Sequence, residues 1–346
     1  MREWIDCTLG DIVTFQRGHD LPKTQMQYGR YPVVGSNGII GYHNEYTTDE
    51  PSITIGRSGN VGKPFIYYGK TWSHNTTLYI KDFKGNDPVF VFYFLKTMDL
   101  ENYAGGSAVP TLNRNHIHTL PICVPGNLME QKKIGLLLKT IDDKIALNNA
   151  INCNLEQQAQ AIYQSMFIST HHETDRTGLL SELISVKYGK DHKKLNDGNY
   201  PVYGSGGIMR YVEKPIYEKE SVLIPRKGSL NNVMYVDEPF WSVDTMFYTE
   251  MKMPNVAKYV FHFVKSKDLA SLNAGSAVPS MTTDILNSME IRIPSAERLA
   301  EFEGLVAPLY KTIKDNIRQS DNLVALRDTL LPKLMSGEID VSKVEL

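Results

Sequence analysis

Two arginines stand on short glycine-bounded turns of similar sequence. Arg57 lies in the run 55–59 (IGRSG), and Arg226 lies in the run 224–228 (IPRKG). A guanidinium on a tight turn can donate paired hydrogen bonds to the edge of a guanine or to a phosphate. It can equally pair with a carboxylate at the protein surface. The two runs therefore indicate either a nucleic-acid contact or a surface ion pair, and both remain open.

Two more segments bring basic and imidazole side chains close together. They contain Arg17 and His19, then Lys190, His192 and Lys193. Clusters of this kind are suited to the phosphates of a nucleic-acid backbone. A solvated surface loop has the same composition, so both interpretations remain open.

Motifs for catalysis are incomplete. The run 56–64 (GRSGNVGKP) resembles a phosphate-binding loop, but its spacing differs and Pro64 stands where a Ser or Thr would follow the lysine. The sequence contains neither a Rossmann glycine motif nor the Asn/Asp-Pro-Pro-Tyr of adenine methylases. His116, His118 and the pair at 171–172 lack further ligands in range, so we expect exposed or turn histidines. The sequence thus predicts no catalytic centre, cofactor or metal site.

The chain contains an internal duplication. The segment 31–42 (YPVVGSNGIIGY) recurs as 200–211 (YPVYGSGGIMRY), at an offset of 169 residues. The same offset relates the two arginine turns, and it relates two further blocks, 72–73 to 241–242 and 106–112 to 275–281. Several blocks in one register predict two copies of one domain. Near the start of each copy the offset is 171, which indicates a two-residue insertion.

Equivalent positions in the two copies carry different polar residues. The pairs are Asn37 and Gly206, Asn60 and Ser229, and Asn75 and Asp244. Asparagine can pair with adenine and aspartate can accept from cytosine, so these differences could encode two different half-sites. Lys227, beside Arg226, is a further candidate for DNA contact. We interpret four aromatic residues that the copies share as core residues: Tyr42, Trp72, Tyr211 and Trp241.

Each copy begins with a strand-rich region. Residues 1–125 contain β-branched and aromatic runs bounded by Gly, Asn and Asp, such as 52–56, 64–68 and 77–80, and runs of this kind are typical of short strands. The segment 87–101 has the length of a buried helix but a strand-like composition, so it stays ambiguous. We expect 1–125 to be a small α/β globule and 171–294 to be its copy.

A heptad pattern follows each globule. Its first seam includes Ile134, Leu138, Ile141, Ile145, Asn148 and Leu155, and its second includes Ile313, Asn316, Leu323 and Leu330. The first pattern predicts one helix of about 60 Å. In the second, Pro308 and Pro332 predict a kink or break, and Gly337 predicts a helix stop. We expect the seams to pack against each other in antiparallel fashion, with asparagines fixing the register. The alternative is two helices that each lie on their own globule.

With this layout the sequence resembles the specificity subunit of type I restriction-modification systems. The resemblance rests on Trp4 with the run 9–12 (LGDI), the blocks 31–42 and 106–112, the run 130–134 (EQKKI) with its Gln131, and the run 326–337 (LRDTLLPKLMSG). It covers essentially the whole chain. The second helix departs from the pattern, because Pro294 is followed by Ser-Ala-Glu-Arg without the glutamine.

The resemblance implies an α/β (α+β) fold, with two tandem-duplicated target recognition domains separated by two long helices in an antiparallel coiled coil with pseudo-two-fold symmetry. The implied segments are recognition domain 1 at 1–125, spacer helix 1 at 126–170, recognition domain 2 at 171–294 and spacer helix 2 at 295–346. Each recognition domain would read one half of a split, asymmetric DNA target. The helices, through Gln131 and the seam residues, would set the spacing and dock methyltransferase subunits, two of them, in a complex with restriction subunits. On this interpretation the chain is not catalytic.

Composition excludes several other classes. The chain has 37 basic and 39 acidic side chains, a formal net charge of −2 and three scattered cysteines, so it is neither a globally basic DNA-binding protein nor a disulfide scaffold. No run of 18 apolar residues and no signal peptide is found, and we expect a cytoplasmic protein. The rival interpretation is a coiled-coil scaffold whose globules bind proteins. A stand-alone nuclease or methylase would need motifs that the sequence lacks.

Overall fold

The computed structural model describes residues 4–106, 110–170, 175–272 and 280–341. The chain divides into two compact units. The first unit comprises Met1–Asn149 and Ile317–Leu346, and the second comprises Ala150–Asn316. Each unit therefore combines a strand-rich globule with a portion of both long helices. The four segments predicted from the sequence divide the chain differently, and that division stays a prediction.

The strands and helices of the first globule alternate along the chain. Its strands are β1 (Trp4–Thr8), β2 (Thr14–Arg17), β3 (Tyr31–Gly35), β4 (Gly38–His43), β5 (Ser52–Gly56), β6 (Pro64–Tyr67), β7 (Trp72–Ser73), β8 (Thr77–Asp82), β9 (Ala104–Gly105), β10 (Thr111–Leu112) and β11 (Pro121–Pro125). Its helices are α1 (Leu9–Ile12), α2 (Pro88–Leu95) and α3 (Arg114–His118), and 3-10 turns occupy Lys23–Gln25 and Leu100–Tyr103. The long helix α4 (Leu128–Tyr163) follows and ends in a π-helical turn, Gln164–Ser169.

The second globule repeats this plan. Its strands are β12 (Arg176–Leu179), β13 (Ile184–Tyr188), β14 (Tyr200–Gly204), β15 (Gly207–Val212), β16 (Ser221–Pro225), β17 (Met234–Val236), β18 (Trp241–Ser242), β19 (Met246–Met251) and β20 (Glu290–Ile293). Its helices are α5 (Leu180–Leu183), α6 (Ala257–Lys265) and α7 (Thr283–Asn287), and the long helix α8 (Ala296–Met335) follows.

The sheet topology confirms the duplication. In the first unit the strand orders are β2-β8-β5-β6, β4-β3-β7 and β1-β11. In the second unit they are β13-β19-β16-β17, β15-β14-β18 and β12-β20, which repeats these three sheets strand for strand. The first unit has a further pair, β10-β9. The strands predicted near 52–56, 64–68 and 77–80 are present as β5, β6 and β8.

A short buried helix forms the centre of each globule. The ambiguous segment 87–101 contains α2, which Asp87 caps by accepting a hydrogen bond from the Phe90 amide and on which every residue from Phe90 to Leu95 is buried. Burial on all sides explains the uniformly apolar composition that obscured the helical period. The core of the first unit extends from this helix to Ile134 and Leu138 on α4.

The long helices run antiparallel in each unit. In the first unit Asp142 Oδ1 accepts from Arg327 Nη1 at 2.7 Å, and Asn148 Nδ2 lies 3.2 Å from Ser320 Oγ. From the first of these contacts to the second, the residue number increases along α4 and decreases along α8. In the second unit Asn316 Nδ2 donates to Asn152 Oδ1 at 2.8 Å. The predicted antiparallel packing of the two seams is therefore confirmed within each unit.

Of the kink or break predicted at the prolines of α8, the break is wrong, and the kink stays a prediction. The helix continues through Pro308 and Pro332 to Met335. Each proline removes one main-chain hydrogen bond. Buried Val306, near Pro308, holds the helix against the second unit, and buried Leu334, near Pro332, holds it against the first. The predicted stop is correct, because Gly337 has a φ of +76° just beyond the helix end. None of the helices in the described ranges is long and apolar enough to span a membrane.

Candidate nucleic-acid interface

Arg57 is fixed by hydrogen bonds at both its backbone and its side chain. Its amide donates to the Thr76 carbonyl at 2.8 Å, and its carbonyl accepts from the Leu112 amide at 2.8 Å. Its Nε donates to the Asn75 carbonyl at 3.1 Å. This tether occupies Nε and leaves the two terminal nitrogens of the guanidinium to face a ligand.

Arg226 has the equivalent partners in the second unit. Its amide donates to the Thr245 carbonyl at 2.9 Å, and its carbonyl accepts from the Met281 amide at 2.9 Å. Its Nη1 lies 3.2 Å from the Asp244 carbonyl. In the part of the chain that the structure describes, neither Arg226 nor Arg57 forms an ion pair. The surface ion pair considered from the sequence is therefore not observed at either arginine.

Three turns meet around each of these arginines. In the first unit the Ser36 amide lies 3.3 Å from Thr76 Oγ1, which joins the β3–β4 turn to the turn that follows Asn75. Gly59, on the arginine turn, has a φ of +87°, and a Cβ there would lie 2.9 Å from Ser36 Oγ. The turns carrying Asn37, Arg57 and Asn75 are therefore brought together, and Asn60 lies on the same turn as Arg57.

The second unit closes its three turns in the same way. A Cβ on Gly228, whose φ is +83°, would lie 2.7 Å from Ser205 Oγ, and Asn232 Nδ2 donates to the Ser205 carbonyl at 2.8 Å. Lys227 and Asp244 are exposed on these turns. The three turns of the second unit are therefore equivalent to those of the first, but the polar side chains that they carry are different.

The polar candidates for DNA contact lie on these turns or next to them. Asn37 is exposed at the β3–β4 turn, and the amide of Asn75 donates to Asp20 Oδ1 at 2.6 Å. His19 is exposed, with its ring 6.1 Å from Trp72 and 6.0 Å from Tyr79 between centroids. In the second unit Lys190 and Lys193 are exposed, whereas His192 is half-buried.

Tyr42 and Tyr211 are not core residues, and that interpretation is wrong. Their side chains are 55% and 49% exposed. They lie on β4 and β15, which are edge strands of their sheets and also expose Ile39 and Ile208. These strands present large apolar residues on both faces, so the pattern of the sequence did not distinguish the outer face. Trp241 is buried, as predicted, and Trp72 is half-buried.

The seam residues pack inside their units. Ile134, Leu138, Ile141, Asn148 and Ile313 are buried, while Ile145, Leu155, Asn316, Leu323 and Leu330 are half-buried. Gln131 is only 3% exposed, and its amide donates to Asn86 and to the Pro125 carbonyl. Its Oε1 accepts from the Asp87 amide at 2.9 Å. Gln131 thus joins α4 to α2, and its side chain is not accessible to a partner.

Sequence inspection missed one basic residue, Arg114. It lies at the start of α3, yet it lines the same cleft as Arg17 and Arg57. The nearby histidine predicted to be an exposed or turn residue has a structural contact, because His118 Nε2 accepts from the Phe15 amide at 3.0 Å. His116 is exposed, and the histidines at 171–172 lie outside the described residues.

Comparison with known proteins places these features in a family. The family model for the type I restriction modification DNA specificity domain matches residues 1–157 and 179–315. A proposed type I specificity subunit of Mycoplasma pneumoniae is 24% identical over 361 residues and covers 96% of both chains. The type I restriction enzyme MjaIX specificity subunit of Methanocaldococcus jannaschii is 24% identical over 302 residues, covering 74% of this chain and 70% of that one.

The fold also matches a solved structure. The crystal structure of a type I restriction-modification S subunit from M. genitalium superposes with a TM-score of 0.72 at 19% identity, covering 99% of this chain and 97% of that one. The match in fold extends over essentially the whole chain, and the two sequence matches to the family model fall on the two globules and their helices.

Proposed function

This chain belongs to the family of type I restriction-modification DNA specificity domains, and we propose that it gives such a system its choice of DNA sequence. Each unit reads one half of a split, asymmetric target. One observation carries the proposal: both units hold an arginine in the same hydrogen-bonded frame, while the side chains on the surrounding turns differ. A common frame with different contacts is what two readers of unlike half-sites require.

The polar residues on the converging turns are the proposed base contacts. Asn75 is suited to adenine, because its bond to Asp20 uses one amide hydrogen and orients the group. The amide oxygen and the second hydrogen can then pair with adenine N6 and N7. Asp244 is exposed at the equivalent position and can accept from cytosine N4. Further proposed contacts, to bases or to the DNA backbone, are Arg17, His19, Asn37, Arg57 and Asn60 in the first unit, and Lys190, His192, Lys193, Arg226 and Lys227 in the second.

The long helices are proposed to fix the spacing and to dock two methyltransferase subunits. Buried asparagines support the first role, since a polar pair in a helical seam specifies register. The docking surface is expected on the outer faces, because the seam side chains are buried or half-buried against their own units. Exposed apolar residues support this: they are Leu136, Leu147, Ile151, Leu305, Ile317 and Leu326. Adenine methylation and cleavage would belong to partner subunits in the cytoplasm, and this chain would be non-catalytic.

Modified-base sequencing tests the proposal directly. DNA from cells with and without this gene is compared, and the expected result is a split methylated motif that disappears with the gene. Next, residues 1–125 are exchanged for the equivalent region of another family member. Only one half of the motif should then change. A change in both halves, or methylation that is unaffected by loss of the gene, would contradict the assignment and favour a protein-binding scaffold.

A further inference from the structure

A cleft of about 340 Å³ in the first unit collects three arginines from distant parts of the sequence. Arg17 ends β2, Arg57 follows β5 and Arg114 begins α3. The other lining residues are Leu78, Thr111, Leu112 and Asn113. The lining therefore contains three cationic side chains and no carboxylate.

Within the described ranges, no carboxylate forms an ion pair with the arginines of this cleft. Among the described residues, no carboxylate oxygen lies within the ion-pair distance of 4.0 Å from a guanidinium nitrogen of these three arginines. Burial, followed by the positive charge of Arg17, lowers the pKa of Arg57. The like charges thus face one another around open space, an arrangement that an entering anion stabilises.

The second unit shows that the fold does not require these charges. Tyr188 stands at the position equivalent to Arg17. Arg17 ends β2, which pairs with β8, and Tyr188 ends β13, which pairs with β19. Arg114 corresponds to Thr283, the first residue of α7. Only Arg226 remains, with its guanidinium carbon 5.4 Å from the centre of the Tyr188 ring. The same strands and helix form with one arginine as with three, so the two additional charges serve something other than folding.

We propose that the cleft of Arg17, Arg57 and Arg114 binds one backbone phosphate of duplex DNA, and that the second unit has no equivalent phosphate site. The inference rests on the proposed function and adds an asymmetry to it. A base edge offers one guanidinium two acceptors, whereas the two free oxygens of a phosphodiester can accept from several donors arriving from different directions. A phosphate contact positions the duplex without reading sequence. At this position the first unit therefore contributes sequence-independent affinity that the second unit does not.

Salt dependence of binding distinguishes this role from base reading. The full chain, assembled with its methyltransferase subunits, is titrated with duplexes containing the methylated motif and with random duplexes from 0.1 to 1 M salt. The double variant Arg17→Gln/Arg114→Gln should reduce the slope of log affinity against log salt by about 0.9. This change in slope corresponds to an affinity about eightfold lower than that of the wild type at 0.1 M salt, and to almost the same affinity on extrapolation to 1 M. Both duplexes should be affected equally.

Variants that copy the other unit serve as matched controls. Arg17→Tyr/Arg114→Thr installs residues that the second unit accommodates, and it should give the same loss of slope while remaining folded. The reverse transplant, Tyr188→Arg/Thr283→Arg, should increase the slope by about 0.9. Phosphate ethylation then locates the contact. In the wild type, ethylation of a phosphate in the half-site read by the first unit should weaken binding, and the glutamine variant should be insensitive to it.

Two results would overturn the inference. One is an unchanged slope in both loss variants; the other is a loss of preference for the motif at constant slope, which would make the arginines base readers. A wild-type complex without any preference for the motif would instead refute the proposed function. In that case the slopes measured on random duplexes still decide whether the cleft binds phosphate.

Discussion

Lowering the pH from 7.5 to 5 is expected to destabilise the second unit through one buried histidine. His262 is 2% exposed, its Nδ1 lies 2.8 Å from Gln160 Oε1, and its Nε2 lies 3.0 Å from the Tyr310 hydroxyl. The ring of Tyr163 stacks on it at 5.4 Å between centroids. Burial first, and the charge of Lys265 second, lower the pKa of His262 from 6.5 to about 4.

The direction and size of the effect follow from these two pKa values. Because the pKa in the folded state lies below that in the unfolded state, the unfolded chain binds the proton more tightly. The stability due to neutral His262 is complete above pH 6.5 and is lost as the pH falls towards 4. Each unit of pH in this window removes about 1.4 kcal/mol, so pH 5 costs about 2 kcal/mol. Lys265, the second cause of this shift, forms an ion pair with Glu156 at 3.1 Å.

The variant His262→Gln isolates this contribution, because an amide can keep a hydrogen bond but does not titrate. Urea unfolding at pH 5, 6 and 7.5 should show a decrease about 2 kcal/mol larger in the wild type than in the variant. Hydrogen exchange should assign the difference to residues 150–316. The first unit has Tyr93 at the equivalent position, and burial together with its bond to Asp142 raises the pKa of that hydroxyl. Equal pH dependence in wild type and variant would refute the reasoning.

Three further substitutions test the packing of the two units, each by urea unfolding. Glu303→Gln should cost about 3 kcal/mol because it removes the closer carboxylate, 2.6 Å from the buried Lys258 ammonium, and leaves it Glu220 at 4.0 Å; Lys258→Met/Glu303→Leu should cost far less. Equal losses would contradict this. Asn316→Ala should cost about 1–3 kcal/mol by leaving the buried Asn152 amide without this partner, and no loss would show that the pair is not stabilising. Gly59→Ala should cost about 1 kcal/mol because of its φ of +87° and because its Cβ would lie 2.9 Å from Ser36 Oγ, while the control Gly69→Ala, with nothing within 4 Å, should cost less. A larger loss at the control would remove the argument from backbone conformation.

The sequence predicted most of the fold because its patterns were periodic. Repeated blocks identified the two globules, and the heptad seams identified α4 and α8 together with their antiparallel pairing. The periodic pattern did not predict burial correctly on strands that carry large apolar residues on both faces. Tyr42, on an edge strand with large side chains on both faces, was assigned to the core and is exposed. Pro308 was expected to break a helix that packing on both sides of it holds intact.

The candidate site was only partly predictable, because it is assembled from turns far apart in the chain. Arg57 could be identified from its turn, but its tether to the Asn75 carbonyl depends on how β5 and β8 pair. Arg114 carried no signal, since its proximity to Arg17 exists only once α3 has packed beside β2. Composition was equally silent, because a balanced total charge is compatible with a local cluster of three arginines.

Differences between the two units indicate which positions can change singly. In the interior, the ion pair of Lys258 and Glu303 corresponds to Val89 and Gly135, so both partners differ together. Val89 follows from the offset of 169 within the globules, and Gly135 from an offset of 168 along the long helices, the offset that relates Asn148 to Asn316. A buried charge that loses its closest partner would cost a few kcal/mol, which favours a paired exchange.

The turns around the arginines are free of that constraint. Asn37 is exposed, and its equivalent is Gly206 in an identical hairpin, where the same strand pairing is kept without the side chain. The guanidinium beside it is held through backbone carbonyls, which no substitution removes. A single change at such a turn therefore alters the exposed polar groups while the frame stays intact. On the proposed function, specificity can change one residue at a time, whereas the partners of a buried ion pair are exchanged together.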